Sequence, residues 1–281
     1  MLPAVVKLCC GISYPHLRSM AGLQRTAMAA IGQEIAHLQR GGRVQLPEWM
    51  GHIGWRNESR REEVRLVNTG DLLYIHQGQE ALSKALEIAE DKDGWKIEIT
   101  EENGDVICSK VLPGAKKVFR LEAVLNATPE ELHTILFVKV EEMHQWNPSI
   151  QHIKILKQVN AETMVTHEVS AATASNLIGQ RDFLSVRHCY KHNSRIYLGG
   201  VATDIESHPP QKNFVRAQDG PTCIIIEALR DDTRKSRFIW LLNMDVKGWL
   251  PKSIVNQALP RAQVDFTRHL RRRLTEGPVH G

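Results

Sequence analysis

Residues 248–274, GWLPKSIVNQALPRAQVDFTRHLRRRL, decide how the rest of the chain is read. Pro251 fits the first turn of a helix, where its missing N–H costs nothing. Beyond it Val255, Leu259, Ala262, Phe266, Leu270 and Leu274 recur three to five residues apart. That spacing predicts one apolar stripe on a long C-terminal helix. Lys252, Arg261, Arg268, Arg271, Arg272 and Arg273 fill its other sides, and the last three close the helix where its dipole favours cations. Pro260 breaks the rule. It forfeits the bond to the Asn256 carbonyl and should kink the helix or cost about 3 kcal/mol. Such a stripe must lie on something apolar. The segments before it are strand-like, so we expect a curved sheet wrapped over this helix.

Working outward, residues 71–90 have helical spacing, with Leu72, Ile75, Ala81, Leu82, Ala85 and Leu86. Strands follow at 95–100 and 106–111, joined through Asn103-Gly104, a strong hairpin signal. A third strand covers 118–125. Thr128-Pro129-Glu130-Glu131 reads as a capping box with proline at the first helical position, opening a helix to about His144. Trp146-Asn147-Pro148 ends it. Strand-like runs return at 153–159, 163–169, 183–189, 196–203, 223–229 and 237–246. Adjacent strands with short links suggest one antiparallel sheet in an α+β domain.

The chain has 281 residues and a net charge of +4. Of its 36 Lys/Arg and 32 Asp/Glu, residues 1–66 hold nine and five, which leaves 27 of each in the body. A neutral body argues against nucleic acid, which wants a basic face. The five cysteines are sparse and form no CxxC, so we expect free thiols. No run of 18 apolar residues exists that could cross a membrane as a helix.

No acid precedes Glu34, while Lys7, Arg18 and Arg25 do. Met20, Leu23, Ala27, Ile31, Ile35 and Leu38 follow a helical period with Arg18 and Arg25 off that face. A basic, acid-poor, amphipathic start is the composition of a mitochondrial transit segment. Such a helix is drawn by a negative-inside potential and can lie on a membrane surface. A secretory signal and a plain helix of the domain are the rivals, but Lys7 interrupts the apolar run. Residues 41–65 are polar and linker-like. We expect residues 1–62 to be transit segment and linker, and 66–279 to be the folded domain.

No enzyme motif is present: no G-x-S-x-G, H-E-x-x-H, Walker A or G-x-G-x-x-G. His144 and His152 flank a loop, too few ligands for a metal. The informative charges lie inside strands. Glu168 shares a face with Met164 and Thr166, and Arg187 shares one with Phe183, Ser185 and Cys189. Alternation alone leaves open which face is inward. If inward, the two form a polar anchor in an apolar chamber, because buried charges persist only when paired. If outward, they are two solvated residues. Between these strands lies AATASNLIGQR, residues 171–181, with Asn176, Leu177 and Ile178 at its tip.

Several motifs then carry a resemblance. MLPAVVKLCCGISYPHLRSM, GWKIEITEENGD, KVFRLE, WNPSI, THEVSAATASNLIGQRDFLSVR, GPTC and WLLNMDVKGWLPKSIVNQ occur in an order similar to that of mitochondrially targeted members of the START lipid-transfer family. The resemblance covers essentially the whole chain. It implies a helix-grip fold, a curved antiparallel sheet closed around a ligand tunnel by the C-terminal helix. It implies one bound sterol and delivery of cholesterol to the inner mitochondrial membrane for steroid synthesis. Its partners would be cholesterol, the outer mitochondrial membrane and the import machinery. Glu168 and Arg187 match the family's acid–base pair in the tunnel, and residues 171–181, with Asn176, Leu177 and Ile178, match the loop over its mouth. Phe183, Phe266 and Leu274 are expected to line the tunnel beside the pair.

Two positions depart from the family pattern. Related members carry Arg-Arg-x-Ser after the FLSVR strand, and here it reads Lys191-His192-Asn193-Ser194. Ser194 has lost the arginines a basophilic kinase would read. Pro260 replaces a helix-compatible residue. The expectation is a monomeric, non-enzymatic sterol carrier without cofactor, metal or nucleic acid. The alternatives are a START-type carrier of another sterol or lipid, and a helix-grip enzyme of the cyclase or aromatase type.

Overall fold

The computed structural model describes residues 69–114, 116–172 and 179–276. The expected transit segment and the loop tip Asn176, Leu177 and Ile178 lie outside the described residues.

Helix α1 (Thr69–Glu90) is followed by β1 (Lys96–Thr100), β2 (Val106–Leu112) and β3 (Lys116–Leu125). The turn between β1 and β2 is longer than a two-residue hairpin. Gly104 alone takes the left-handed region there, at φ +88°. The Glu101 N–H donates to Asp105 O at 2.9 Å and the Gly104 N–H to Glu101 O at 3.0 Å. A type I′ turn needs positive φ at both central residues. Asn103 instead accepts the Asp105 N–H on its side chain, at 3.0 Å.

The expected single helix after Thr128 is three short pieces: α2 (Pro129–His133), a π-helical turn (Thr134–Val138) and a 3-10 stretch (Val140–Gln145). Its start follows the sequence signal. The Thr128 N–H donates to Glu131 Oε2 at 2.7 Å, and the Glu131 N–H donates back to Thr128 Oγ1 at 3.3 Å. The Lys139 N–H reaches back to Thr134 O at 2.8 Å, and this wide turn re-phases the chain. Leu136, Phe137, Val140 and Met143 are all buried, and Leu136, Phe137 and Met143 reach the cavity described below.

Strands β4 (Ile150–Gln158), β5 (Thr163–Ser170), β6 (Arg181–His192) and β7 (Arg195–Ala202) form a meander. Two short strands, β8 (Val215–Arg216) and β9 (Gln218–Asp219), precede β10 (Thr222–Ala228), β11 (Ser236–Leu242) and β12 (Met244–Asp245). The main sheet runs β1-β2-β3-β11-β10-β7-β6-β5-β4, with β8 added parallel to β6. β12 pairs with β9 apart from it.

Alternation along β10 sorts the core. Cys223 and Ile225 pack with Leu82, Ala85 and Ala89 of α1, whereas Ile226 belongs with the cluster under the last helix. The sheet is therefore covered by α1 on one face and by the C-terminal helix on the other. The α1 contact is close: a Cβ on Gly199 would lie 2.9 Å from Leu82 Cβ. Only glycine lets the helix sit there.

Helix α3 (Lys252–Glu276) runs through Pro260, which is buried. It starts one residue later than expected, and Pro251 caps it by accepting from the Ile254 and Val255 N–H groups at 3.0 and 3.2 Å. The expected stripe is divided. Leu259 and Leu270 pack in the core, together with Val264, Gln263 and Thr267, which are buried although they lie outside the stripe. Ala262 and Phe266 keep accessible surface because the wall they face is a cavity.

Candidate functional site

A cavity of about 350 Å³ lies between the sheet and α3. That is within the range of about 300–1,000 Å³ found for small-molecule sites. Most of its wall is apolar. Leu136, Phe137 and Met143 come from the re-phased segment after α2, Leu198, Ile224, Trp240 and Leu242 from the sheet, and Leu259, Ala262 and Phe266 from α3. Phe266 is set between two tryptophans, with centroids 5.5 Å from Trp146 and 4.9 Å from Trp240. Gln263, one turn before Thr267, fixes the helix to the sheet by donating to Trp240 O at 3.0 Å.

One region of the wall is polar. β5 and β6 pair antiparallel, so Glu168 stands opposite Phe183 and Thr166 opposite Ser185. Period-two alternation then turns Glu168, Phe183, Ser185 and Arg187 to the cavity. The Arg187 Nη2 donates to Glu168 Oε2 at 3.0 Å, and its Nε donates to Thr166 Oγ1 at 3.0 Å. The two side chains keep 25% and 22% of their surface accessible. Since both line the cavity, this surface faces the ligand space and not open solvent. Burial accordingly pushes the Glu168 carboxyl above its ordinary value. Arg187 opposes the rise and Asp219 adds to it.

Asp219 is the residue the sequence pattern did not show. It sits in two-residue β9, opposite Met244 of β12, and lines the same polar region. Ser185 Oγ donates to its Oδ2 at 2.9 Å. Burial raises its pKa, offset in part by Ser185, Arg187 and Lys116. A strand this short has no alternation to read, and Gln218-Asp219-Gly220-Pro221 looks like a polar turn. Asn147, at the end of the broken helix, was legible only as a stop signal. It also lines the cavity, where its Oδ1 accepts from Ser149 Oγ at 2.6 Å.

Of the expected lining residues, the structure brings Glu168, Arg187, Phe183 and Phe266 together around one space. Leu274 is not part of that wall and packs at the edge of the main core. It lies eight residues beyond Phe266, about 12 Å further along the helix. Ser194 sits in the turn between β6 and β7, beside Asn193 at φ +54°. The basic residue just upstream, Lys191, is paired with Glu130 at 2.7 Å. Among the described residues no group of three or more His, Cys, Asp or Glu could hold a metal ion.

Residues 75–278 match the START domain. The chain belongs to the START family. It is 45% identical, over 99% of its length and 97% of the other's, to steroidogenic acute regulatory protein, mitochondrial, of Danio rerio. It is 44% identical to the Homo sapiens protein of that description, over 99% of this chain and 98% of that one. Among solved structures it resembles human StAR-related lipid transfer protein 5, with a TM-score of 0.67 at 20% identity, covering 73% of this chain and 98% of that one. That likeness shows the START fold: a curved antiparallel sheet with a long C-terminal helix over its cavity-bearing face. In this START domain the polar region stands on β5, β6 and β9, and α3 supplies the opposite wall.

Proposed function

We propose that this chain is a non-enzymatic carrier that binds one cholesterol molecule in the cavity and supplies it to mitochondria for steroid synthesis. The observation that carries this reading is a largely apolar cavity with one polar region, in a chain 45% identical end to end to a steroidogenic, mitochondrial relative. A sterol has that same asymmetry, a large apolar body and one hydroxyl. Burying the body supplies most of the affinity, at about 25 cal/mol per Å². Glu168 and Arg187 receive the hydroxyl, directly or through a water. Phe183 and Phe266 bear on the rings.

An enzyme would need a nucleophile or a base beside the ligand. The lining thiol, Cys223, is pushed up to about 12 by burial and stays protonated at neutral pH. The pair is held by mutual bonds and offers an anchor, not a proton relay. Residues 1–62 act as the transit segment and contact the outer membrane and import machinery, and 66–279 act as the domain, as a monomer. The missing arginines before Ser194 leave it a poor substrate for a kinase that requires Arg-Arg-x-Ser.

The test is to purify the chain from sterol-containing cells and identify the lipid it retains by mass spectrometry. Cholesterol at close to one per chain is expected. A phospholipid or fatty acid in its place would refute the sterol assignment.

A further inference from the structure

Three of the four serine and threonine hydroxyls in the cavity wall are already committed as donors, and the fourth, Ser170, accepts from the Arg181 N–H at 2.9 Å. Ser185 donates to Asp219, Thr222 to the Leu241 carbonyl, and Ser149 to Asn147. Arg187 spends its Nε on Thr166 and one amino nitrogen on Glu168. The polar region is therefore rich in acceptor capacity, with two carboxylates, Glu168 and Asp219, near a single guanidinium. Glu168 projects from β5 and Asp219 from β9, and both the β9–β12 pairing and the Ser185 hydroxyl of β6 hold the latter in place.

We propose that Asp219 is a specificity residue of this cavity, a second acceptor beside Glu168 that favours a ligand bringing a hydroxyl over one bringing a ketone. The proposal rests on the reading of the chain as a sterol carrier. A hydroxyl can accept from the remaining Arg187 N–H groups and donate its proton to a carboxylate. A ketone oxygen can accept from Arg187 but has no proton for Asp219. It instead brings its negative end towards two carboxylates in a low-dielectric wall, which opposes binding. A site built around a ligand hydroxyl rejects the analogue lacking it, because its own buried groups are left unpaired.

The charged groups that face Asp219 are Glu168 of β5, Arg187 of β6 and Lys116 of β3. Burial makes the Asp219 carboxyl take up a proton at higher pH than an ordinary aspartate. Once protonated it becomes a donor and tolerates a ketone, so discrimination weakens on acidification.

The experiment titrates the full chain with a fluorescent 3-hydroxysterol and with its 3-ketone. The natural chain should favour the hydroxysterol. Asp219→Asn keeps the acceptor for Ser185 and turns a donor to the ligand, so the ratio of the two affinities should fall at least about tenfold, chiefly through gain of ketone binding. The ratio of the natural chain should fall as pH is lowered, and that of Asp219→Asn should fall less, because only Glu168 is then left to take up a proton. An unchanged ratio in Asp219→Asn, or equal loss of both ligands, overturns the proposal and makes Asp219 structural. A natural chain that binds neither sterol overturns the carrier reading as well, and is told apart because the failure precedes any substitution. If Asp219→Asn does not fold, Ser185→Ala, which removes the hydroxyl that aims the carboxylate, is read for the same fall in ratio.

Discussion

Arg271 of α3 holds Asp105, in the β1–β2 turn, with both terminal nitrogens, Nη1 at 2.5 Å from Oδ2 and Nη2 at 2.6 Å from Oδ1. The same Nη2 donates to Val124 O at 3.0 Å, so one side chain ties the last helix to the β1–β2 turn and to β3. Asp105 is 2% exposed. The unexpected length of the β1–β2 turn is what brings Asp105 to the helix.

Removing one partner strands a buried carboxylate. Arg271→Leu is expected to cost about 3 kcal/mol, because a broken buried pair leaves its desolvation uncompensated. It should also speed ligand exchange, since α3 is one wall of the cavity and loses a tie to the sheet. Asp105→Asn together with Arg271→Leu should recover part of the stability. Urea unfolding midpoints and a sterol off-rate by fluorescence check this. An Arg271→Leu variant with natural midpoint and off-rate would show that the clamp contributes nothing.

On the α1 side of the sheet, Asp182 is fully buried, with Arg216 Nη2 at 2.7 Å and His167 Nε2 at 3.0 Å from its Oδ2. Burial alone would raise its pKa, but the bonds from Arg216 and His167 outweigh that and leave it lowered. A carboxyl depressed in the folded state contributes stability above the unfolded value near 3.9, and loses it as pH falls through the folded value. Asp182→Asn should therefore cost about 2–3 kcal/mol at pH 7 and much less near pH 2. Midpoints of the two proteins that stay equally far apart at both pH values would contradict the linkage.

Much of this was legible because period and punctuation agree. The capping box at Thr128, the alternation of β5 and β6 and the stripe of α3 each point to their observed elements. The pairing of Glu168 with Arg187 was legible as two charges on strand faces, although which faces turned inward needed the sheet order. What stayed hidden has no period. Asp219 stands on a two-residue strand, the π-helical turn has no side-chain signature, and the stripe of α3 does not say which residues meet sheet and which meet cavity. Gln263 and Thr267, polar in sequence, are fully buried because one bonds the sheet and the other bonds its own helix, through Oγ1 to Gln263 O at 3.1 Å.

Pro260 gives a prediction with a defined sign. It is buried inside α3 and leaves the Asn256 carbonyl without its helical donor. Pro260→Ala restores that bond and loses some packing, so a net gain of about 1–2 kcal/mol is expected from the roughly 3 kcal/mol propensity difference. Sterol exchange should slow with it, as the helix stiffens. A destabilised variant would mean the ring's packing outweighs the missing bond.

The Glu168–Arg187 pair separates stability from binding. Arg187→Leu leaves a carboxylate in an apolar wall and should cost about 3–5 kcal/mol, softened because Glu168 already holds a proton more readily than an ordinary carboxyl. By linkage the penalty shrinks at acid pH: a carboxyl whose folded pKa is raised favours the fold below its unfolded value, and that favour is lost as pH rises through the folded one. Glu168→Gln with Arg187→Leu removes both charges and should regain part of the stability at pH 7, since Glu168 is then no longer a stranded charge, while Asp219 keeps only Ser185 and Lys116 to offset its burial. It should not regain sterol affinity, because the guanidinium that would donate to the ligand hydroxyl is gone. Denaturant melts beside a fluorescent-sterol titration test this. Natural melting and natural affinity in Arg187→Leu would mean that the pair is no anchor, and the ligand's polar end would have to be sought elsewhere in the wall.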